Sequence, residues 1–370
     1  MSALFSPIRL RDLALPNRIM VAPMCQYSAE DGKANDWHFT HINTMAQSGA
    51  AMFCMEATHV EAIGRITPGC LGLWNDATEA ALRPVLASVR RHSTVAIASQ
   101  LAHAGRKGSS HKPWEGGQQI PLAERGWRTV GPSEVAHKEG ELKPVALDAM
   151  GLKQVRDAFV ESARRADRLG IDAVELHCAH GYLLHQFLSP ISNRRSDKYG
   201  GSLQNRMRYP LEVFDAVRAV FPSKKPVGIK ISATDWVEGG WDLEQTIEFA
   251  RELKKRGVDW IDVSSGGISP QQKIPLAPGY QVPFAQAIKE ATGLTTMAVG
   301  LITEASHAED IVASHKADMI ALARGMLYDP RWAWHAAAQL GGEVYAPPQY
   351  WRSQPASQKT LFGETTFGAR

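Results

Sequence analysis

The chain has 370 residues, 44% hydrophobic and 21% charged, a composition typical of a globular enzyme built as one large barrel or as two medium domains. The net charge of +3, with acidic and basic residues interspersed, argues against nucleic acid, and the lack of a signal peptide or of an apolar run of roughly 18 residues argues against a membrane. The four cysteines form no C-x-x-C pair and show no disulfide spacing, so we expect a cytoplasmic protein.

Three strands of the buried type are predicted in the first half of the chain, at 18–24, 50–57 and 95–105. The second half repeats a unit in which an amphipathic helix precedes a buried strand. In the first unit, apolar residues recur at helical spacing between Leu152 and Leu169, and Gly170 ends the helix. Four further helices are predicted at 203–221, 242–256, 283–292 and 303–315. The strands that follow the five helices are predicted at 171–177, 226–232, 259–265, 295–300 and 317–324.

Eight strands that alternate with helices predict a single-domain (β/α)8 TIM barrel over residues 1–370. A doubly wound sheet is the alternative, but no G-x-G-x-x-G turn follows any of the strands. Residues 105–145, after the third strand, are far longer than an ordinary connection and rich in Gly, Pro and polar side chains, which favours a capping insertion, or lid, over an incidental excursion. Residues 343–370 carry prolines and aromatics and are expected to form an arm that packs on this barrel or on a partner chain.

Two imidazoles and a phenol, those of His177, His180 and Tyr182, follow the fourth strand. Active sites of such barrels form at the carboxyl ends of the strands, so these side chains are expected at the mouth. Neutral imidazole N–H groups can hold a carbonyl or nitro oxygen on which charge develops, and a tyrosine can then donate a proton.

Metal binding is the alternative use of these histidines, as in a metal-dependent hydrolase or aldolase. The pair has H-x-x-H spacing, as do His38 and His41, but the sequence supplies no evident third ligand. We therefore expect no metal site, and we interpret His38 and His41 as structural. A barrel that only binds a small molecule is a further alternative.

Glycine-rich turns follow the last three strands, at 264–267, at Gly300 and at 323–325. Such turns allow backbone N–H groups to approach an anion, and Arg324 can add two hydrogen bonds to a phosphate. Together they predict a phosphorylated cofactor or substrate. Lys230 lies in the apolar fifth strand and is expected to face the mouth and meet an anion there.

Several long stretches of the chain resemble the Old Yellow Enzyme family of NADH:flavin oxidoreductases, and within it the thermophilic-like bacterial branch of YqjM-type enoate reductases and xenobiotic reductase A. They are LFSPIRLRDLALPNRIMVAPMCQYSA, QLAHAGRK, ELHCAHGYLLHQFLSPISNRRSDKYGGSLQNRMR, AVGLIT and ALARGMLYDPRW. The resemblance implies an FMN-bound barrel that takes hydride from NADPH or NADH at flavin N5. It then reduces an electron-poor C=C bond, as in enones, enals, maleimides or nitroalkenes, with double-displacement kinetics.

The resemblance also implies roles for individual residues. His177 and His180 would bind the activating oxygen of the substrate, and Tyr182 would protonate its α-carbon. Tyr27 and Lys107 match substrate-side residues. The residues that would line the flavin ring are Pro23, Met24, Cys25, Ala57 and Gln100, and those that would hold its phosphate are Gly300, Leu301, Ala323 and Arg324.

Lys230 departs from the family pattern, which usually has arginine beside the N1–C2 carbonyl edge of the flavin. Lysine keeps the charge but loses the planar two-point grip, so we expect weaker flavin binding or an altered potential. Cys25 matches a cysteine that tunes flavin redox behaviour in this branch. The stretch 350–352 resembles a tail that lends Arg352 to the neighbouring subunit's site, which implies a homodimer with shared sites or a tetramer. The chain lacks the extra domain and the iron–sulfur cysteines of dienoyl-CoA reductases and amine dehydrogenases.

Overall fold

The computed structural model describes residues 2–365, which contain twelve strands and ten α-helices. The strands are β1 Ile8–Leu10, β2 Leu13–Leu15, β3 Ile19–Val21, β4 Met52–His59, β5 Ala96–Ala102, β6 Val130–Gly131, β7 Val145–Ala146, β8 Ala173–Cys178, β9 Val227–Ser232, β10 Ile261–Ser264, β11 Thr296–Ala298 and β12 Met319–Leu322. The helices are α1 Asp36–Ala46, α2 Asp76–His92, α3 Ala149–Arg168, α4 Leu183–Leu188, α5 Leu203–Val220, α6 Leu243–Lys255, α7 Val282–Thr292, α8 Ala305–Ala313, α9 Arg324–Tyr328 and α10 Trp332–Leu340.

Eight parallel strands close into a barrel. They pair in the order β3, β4, β5, β8, β9, β10, β11 and β12, and β12 pairs with β3. Each predicted strand overlaps one of these eight, and each of the five predicted helices is present between them. The predicted (β/α)8 barrel is therefore confirmed, and the doubly wound alternative is wrong.

Successive side chains of the barrel strands alternate between two apolar layers. In β3, Ile19 and Val21 pack in the layer beneath the helices, whereas Met20 packs in the layer that fills the barrel. Trp260 is the largest side chain of the inner layer and lies against Gly228, where an added Cβ would come within 2.0 Å of the indole. A small residue is therefore required at position 228.

Polar caps fix where the helices begin. The side chain of Asp148 accepts a hydrogen bond from the Gly151 amide at the start of α3, and Asp242 accepts one from the Gln245 amide at the start of α6. The apolar stripe of α3, predicted from its period, is buried against the barrel. No helix within residues 2–365 is both long and apolar enough to cross a bilayer.

The hairpin of β1 and β2 covers the amino end of the barrel and was missing from the predicted elements. Leu10 and Leu15 are each 1% exposed and belong to the inner apolar layer. Arg11, at the turn, donates two hydrogen bonds to the Asp259 carboxylate just before β10. The opposite, carboxyl end of the strands is left as the open mouth.

The two segments that depart from the repeat differ in structure. Residues 105–145 contain short 3₁₀ turns and β6, which pairs in parallel with β7, and no α-helix lies within them. The described part of the arm packs on its own barrel, where Val344 and Phe362 join the main apolar layer. Residues 366–370 of the predicted arm lie outside the described residues.

Candidate active site

The parallel register places polar side chains of neighbouring strands side by side at the mouth. His177 of β8 lies opposite Lys230 of β9, which in turn lies opposite Asp262 of β10. One layer deeper, Glu175 of β8 lies opposite Gln100 of β5. All five side chains are buried. Buried polar groups at strand ends need partners, so this register determines which contacts the mouth can form.

His177, His180 and Tyr182 meet as predicted. The ring centroid of His177 lies 5.2 Å from that of His180 and 4.8 Å from that of Tyr182, both edge-on. The chain turns sharply after β8 because His180 and Gly181 both adopt left-handed backbone, with φ of 57° and 72°. Glycine is required at 181, since a Cβ there would lie 2.1 Å from the Gly267 carbonyl oxygen.

One hydrogen bond indicates the tautomer of His177. The Ala179 amide donates to Nδ1 at 3.3 Å, so a neutral imidazole carries its proton on Nε2. Neither this Nε2 nor the Tyr182 hydroxyl forms a hydrogen bond with any residue between 2 and 365. Both groups are therefore available to a ligand at the mouth.

Ser264 controls the proton of His180. The serine Oγ lies 2.7 Å from His180 Nε2 and 3.4 Å from Gln281 Oε1, and the Ser265 hydroxyl already donates to that amide oxygen at 2.6 Å. The shorter contact favours donation from Ser264 to Nε2. In that arrangement a neutral His180 carries its proton on Nδ1 and can donate it to a ligand.

Burial at the mouth determines the protonation states of His177, His180 and Tyr182. Burial lowers the pKa of His177 and of His180 well below 6.5, and the Lys230 ammonium adds to the effect. Burial raises the pKa of Tyr182 well above 10. At neutral pH both imidazoles are neutral and the phenol keeps its proton, so all three groups can act as hydrogen-bond donors.

The floor of the mouth is built from the ends of β3, β4 and β5. Its residues are Pro23, Met24, Cys25, Ala57 and Gln100, of which the last two are 2% exposed. The Glu56 carboxylate holds the loop after β3 by accepting the Gln26 amide at 2.9 Å. Tyr27 follows in left-handed backbone with φ of 52°. Burial raises the pKa of the Cys25 thiol well above 9, so the thiol is protonated at neutral pH.

Lys230 meets an anion as expected, but the anion belongs to the protein. Its ammonium lies 2.5 Å from the Asp262 carboxylate. Burial lowers the pKa of Lys230, but Asp262 and Glu175 outweigh that effect and hold the pKa above 10.5. Burial and Asp262 raise the pKa of Glu175 to about 7. Lys230 and the hydrogen bonds that Gln100 and Trp260 donate at 2.9 and 3.0 Å oppose this rise. The lysine charge is therefore shared with buried carboxylates.

The turns after β11 and β12 form the side of the mouth predicted for phosphate. Gly300 and Leu301 both have positive φ, 123° and 52°, and a Cβ on Gly300 would lie 2.8 Å from the Gln281 amide nitrogen. Ala323 and Arg324 follow β12, and Arg324 is exposed and forms no ion pair with residues 2–365. An uncommitted guanidinium beside close-approach backbone is a donor set that fits a phosphate.

The remaining predicted residues fall in two places. The Lys107 ammonium lies at the mouth, where it donates to the carbonyl oxygens of His180 and Gly267 at 2.8 and 3.0 Å. Arg352 lies in the arm, next to Tyr350, which stacks edge-on with Trp334. It forms no hydrogen bond or ion pair with the described residues of its own mouth. The predicted site residues other than Arg352 therefore lie in or just after barrel strands, at the carboxyl end, and their functional roles stay predictions.

His38 and His41, the second pair with H-x-x-H spacing, have structural contacts. Nδ1 of His38 lies 2.9 Å from the Asn35 side-chain oxygen in the capping box of α1, and Nε2 lies 3.4 Å from Glu56. His41 packs edge-on against Phe53 at 6.3 Å. In the part of the chain that the structure describes, no three His, Cys, Asp or Glu side chains are placed to hold a metal ion.

Three functional contacts were missed at the level of sequence. Glu175 could have been found, because residues two apart in a strand share a face and Glu175 therefore accompanies His177. Asp262 could have been found only if the register that places it opposite Lys230 of the neighbouring strand had been known. Gln281 has no such signal, since it reaches the mouth from the turn before α7.

Comparisons with known proteins agree with this geometry. Residues 3–343 match the model of the NADH:flavin oxidoreductase / NADH oxidase family. An NADPH dehydrogenase of Listeria monocytogenes is 43% identical over 355 residues, which cover 95% of this chain and 99% of that protein. The solved structure of morphinone reductase has a TM-score of 0.76 at 28% identity, over 94% of this chain and 91% of its own. Morphinone reductase in complex with tetrahydroNAD has a TM-score of 0.75 at 28% identity, over 93% and 92%.

The family match spans nearly the whole chain, and the turns after β11 and β12 supply backbone and guanidinium donors that fit the phosphate of FMN. The protein is an enzyme that moves electrons between a nicotinamide cofactor and FMN. The chain belongs to the NADH:flavin oxidoreductase / NADH oxidase family, and thus to the Old Yellow Enzymes that its sequence motifs resemble.

Proposed function

We propose that this oxidoreductase is an ene-reductase that acts on electron-poor alkenes, such as enones, enals, maleimides and nitroalkenes. The observation that supports it best is the juxtaposition of two neutral imidazoles and a protonated phenol at one barrel mouth. Reduction of such an alkene needs a donor to the carbonyl or nitro oxygen and a proton for the α-carbon. The mouth offers both.

FMN, when bound, would supply the hydride chemistry, with NADPH or NADH as the source of hydride and the β-carbon of the alkene as its acceptor. Its ring would lie on the floor residues, with Lys230 beside it. Its phosphate would bind at Gly300, Leu301, Ala323 and Arg324, where backbone and guanidinium donors converge. Tyr27 and Lys107 would border the alkene. Because one mouth serves both the nicotinamide and the alkene, we expect double-displacement kinetics.

The chain's own chemistry concerns the substrate oxygen and one proton. Nε2–H of His177 and Nδ1–H of His180 would donate to the oxygen and withdraw electron density from the alkene. The Tyr182 hydroxyl would transfer its proton to the α-carbon, and solvent would restore it. Burial keeps the imidazoles neutral, so their N–H groups donate hydrogen bonds without carrying a full charge of their own.

The proposal predicts a yellow protein. Purified holoenzyme should absorb in the flavin region, bleach anaerobically with NADPH or NADH, and regain colour when an enone or maleimide is added without oxygen. A protein that bleaches but is not reoxidised by any alkene of the panel would contradict the ene-reductase proposal. A colourless protein with stoichiometric zinc would favour the metal-dependent alternative.

Lys230→Arg should tighten FMN binding and shift the flavin midpoint potential. Arginine would restore a planar two-point contact, whereas the present ammonium is drawn towards the Asp262 carboxylate. Equilibrium dialysis and redox titration measure the two quantities, with the exposed Lys224→Arg as the matched control. If affinity and potential both match the wild type, Lys230 does not tune the flavin.

We propose a homodimer, or a tetramer of such dimers, in which Arg352 of each chain enters the partner's site. Arg352 is exposed and uncommitted within its own chain, and the neighbouring arm residues are anchored by the stacking of Arg331 on Tyr350 and Trp334. Arg352→Ala should raise KM for the alkene several-fold while leaving FMN content unchanged. Sedimentation paired with kinetics tests this, and a fully active monomer would contradict it.

Residues 105–145 complete the proposal as a lid over the mouth. Arg106 and Lys107 connect the segment to the site, since Arg106 donates at 2.7 Å to the Ile268 carbonyl beyond β10. A segment tied to two strand ends can restrict which alkenes enter. We therefore infer that it selects among substrates.

A further inference from the structure

A cavity of about 370 Å³ adjoins the mouth, between the end of β5 and the segment 105–145. Tyr27 and Lys107 line it and also belong to the mouth. Tyr27 packs in one small apolar cluster with Tyr182, and the Lys107 ammonium lies 5.1 Å from the centroid of the Tyr182 ring. The cavity and the mouth therefore share Tyr27 and Lys107 as their common border.

Two of the cations that line the cavity are held by neutral groups alone. Arg106 is only 3% exposed, and its guanidinium donates hydrogen bonds to three backbone carbonyls at 2.7 to 3.2 Å. Its Nε is buried and has no partner among the described residues. The Lys107 ammonium donates to two backbone carbonyls. Carbonyls satisfy hydrogen bonds but carry no full negative charge, and the carboxylates that act on Arg106, Glu141 and Asp235, form no ion pair with it within residues 2–365. Burial, with Arg106 and Lys138, lowers the pKa of Lys107 to about 8, so it remains protonated at neutral pH.

The rest of the lining does not neutralise them. Lys138 adds a third cation and forms no ion pair within 4.0 Å in residues 2–365. Glu141 is the lining carboxylate, and it accepts the backbone amide of Lys138 at 3.2 Å. Burial, with Lys107, Arg106 and Lys138, lowers the pKa of His137 to about 3, so that ring is neutral. Three cations thus face one carboxylate.

We propose that this cationic cavity, defined by Arg106, Lys107, Lys138 and Glu141, binds an anionic arm of the alkene substrate. The inference rests on the proposed ene-reductase function and narrows it to alkenes that carry a carboxylate, or a group of similar charge, a short chain away from the activated bond. Three cations against one carboxylate give the site a positive potential that attracts such a group, and water screens the buried Arg106 less than the exposed Lys138. A neutral alkene gains nothing there.

A phosphate of the hydride donor has the same chemistry and is the competing occupant. The two are separable because the nicotinamide acts in the reductive half-reaction and the alkene in the oxidative one. Rapid mixing of oxidised holoenzyme with NADPH or NADH reports the first. Rapid mixing of reduced holoenzyme with alkene reports the second.

The test compares N-ethylmaleimide with N-(carboxyethyl)maleimide, which differ in the charge of the arm. Wild-type holoenzyme should reduce the carboxylate with about tenfold higher kcat/KM at low salt, and the ratio should fall as added salt screens the arm. Lys138→Gln should lower the ratio by about threefold and Lys138→Glu by about tenfold, with N-ethylmaleimide turnover unchanged. Lys138 is exposed, so neither variant threatens folding. Lys143→Gln, on the same segment but outside the cavity, is the matched control.

A ratio near one in the wild type, or a ratio that Lys138→Glu leaves unchanged, would overturn the proposal. Loss of NADPH affinity in the Lys138 variants without a change in the maleimide ratio would assign the cavity to the hydride donor and overturn it too. The saturated analogues of the two maleimides, N-ethylsuccinimide and N-(carboxyethyl)succinimide, cannot be reduced by the enzyme. Their titration against oxidised holoenzyme, followed by flavin difference spectra, measures binding without turnover. An enzyme that reduces neither maleimide would thus refute the proposed function while still testing the cavity.

Discussion

Tyr182→Phe is expected to slow the reoxidation of reduced enzyme by an enone by about 10²- to 10⁴-fold, the range that a general acid typically contributes. The substitution removes one oxygen atom and keeps the ring that packs at 4.8 Å on His177. Reduction of the flavin by NADPH needs no proton from this hydroxyl and should keep its rate. Stopped-flow measurement of the two half-reactions separates these outcomes.

The pH dependence gives the Tyr182 prediction a second readout. Because burial holds the pKa of Tyr182 well above 10, the phenol keeps its proton as pH rises through neutrality, and ionisation of Tyr182 should not lower the rate below about pH 9. Tyr27→Phe is the matched control, since Tyr27 borders the same mouth but would donate no proton. Equal loss in both variants would mean that Tyr182 acts by packing alone.

The barrel was predictable because each of its strands carries a strong local signal. Runs such as β9 are buried on both faces and read as continuous apolar segments, and Gly170 ends α3 where the period stops. The hairpin escaped prediction because β1 and β2 each bury only one of their three residues, whereas the equally short β3 and β11 are buried throughout. Its stability comes from burying Leu10 and Leu15 under the barrel, which is a tertiary effect.

The candidate site likewise combines contacts that could be predicted from a local stretch of sequence with contacts that depend on the fold. His177, His180 and Tyr182 follow one strand, so their proximity is encoded locally. The anion that meets Lys230 is not, because it comes from β10 through the register of a neighbouring strand. The hydroxyl of Ser264, which directs the proton of His180, depends in turn on Ser265, which donates to the competing acceptor, Oε1 of Gln281. Such contacts form only when the barrel closes, so no local sequence pattern predicts them.

The double variant His177→Ala, His180→Ala should lose about 10³-fold or more in the rate of alkene reduction, because one oxyanion donor alone is worth about 10² to 10³. Two donors to one oxygen act as a unit, so the double loss should be smaller than the product of the single losses. Neither imidazole forms an ion pair with residues 2–365, and neither is among the residues expected to bind FMN. The FMN content of the double variant should therefore stay near stoichiometric.

His177→Asn tests the donor role of the imidazole against its shape. Asparagine retains an N–H, but its amide nitrogen lies near the position of ring Nδ1 and falls short of Nε2, the donor at 177, so it should recover little of the rate that alanine loses. His180→Asn should recover more, because the donor at 180 is Nδ1, whose position the amide nitrogen of asparagine can occupy. Oxidative half-reaction rates for the four single variants and the double variant decide the matter. Wild-type-like turnover in the double variant would remove both histidines from the mechanism, and equal rescue at the two positions would show that Ser264 does not select the His180 tautomer.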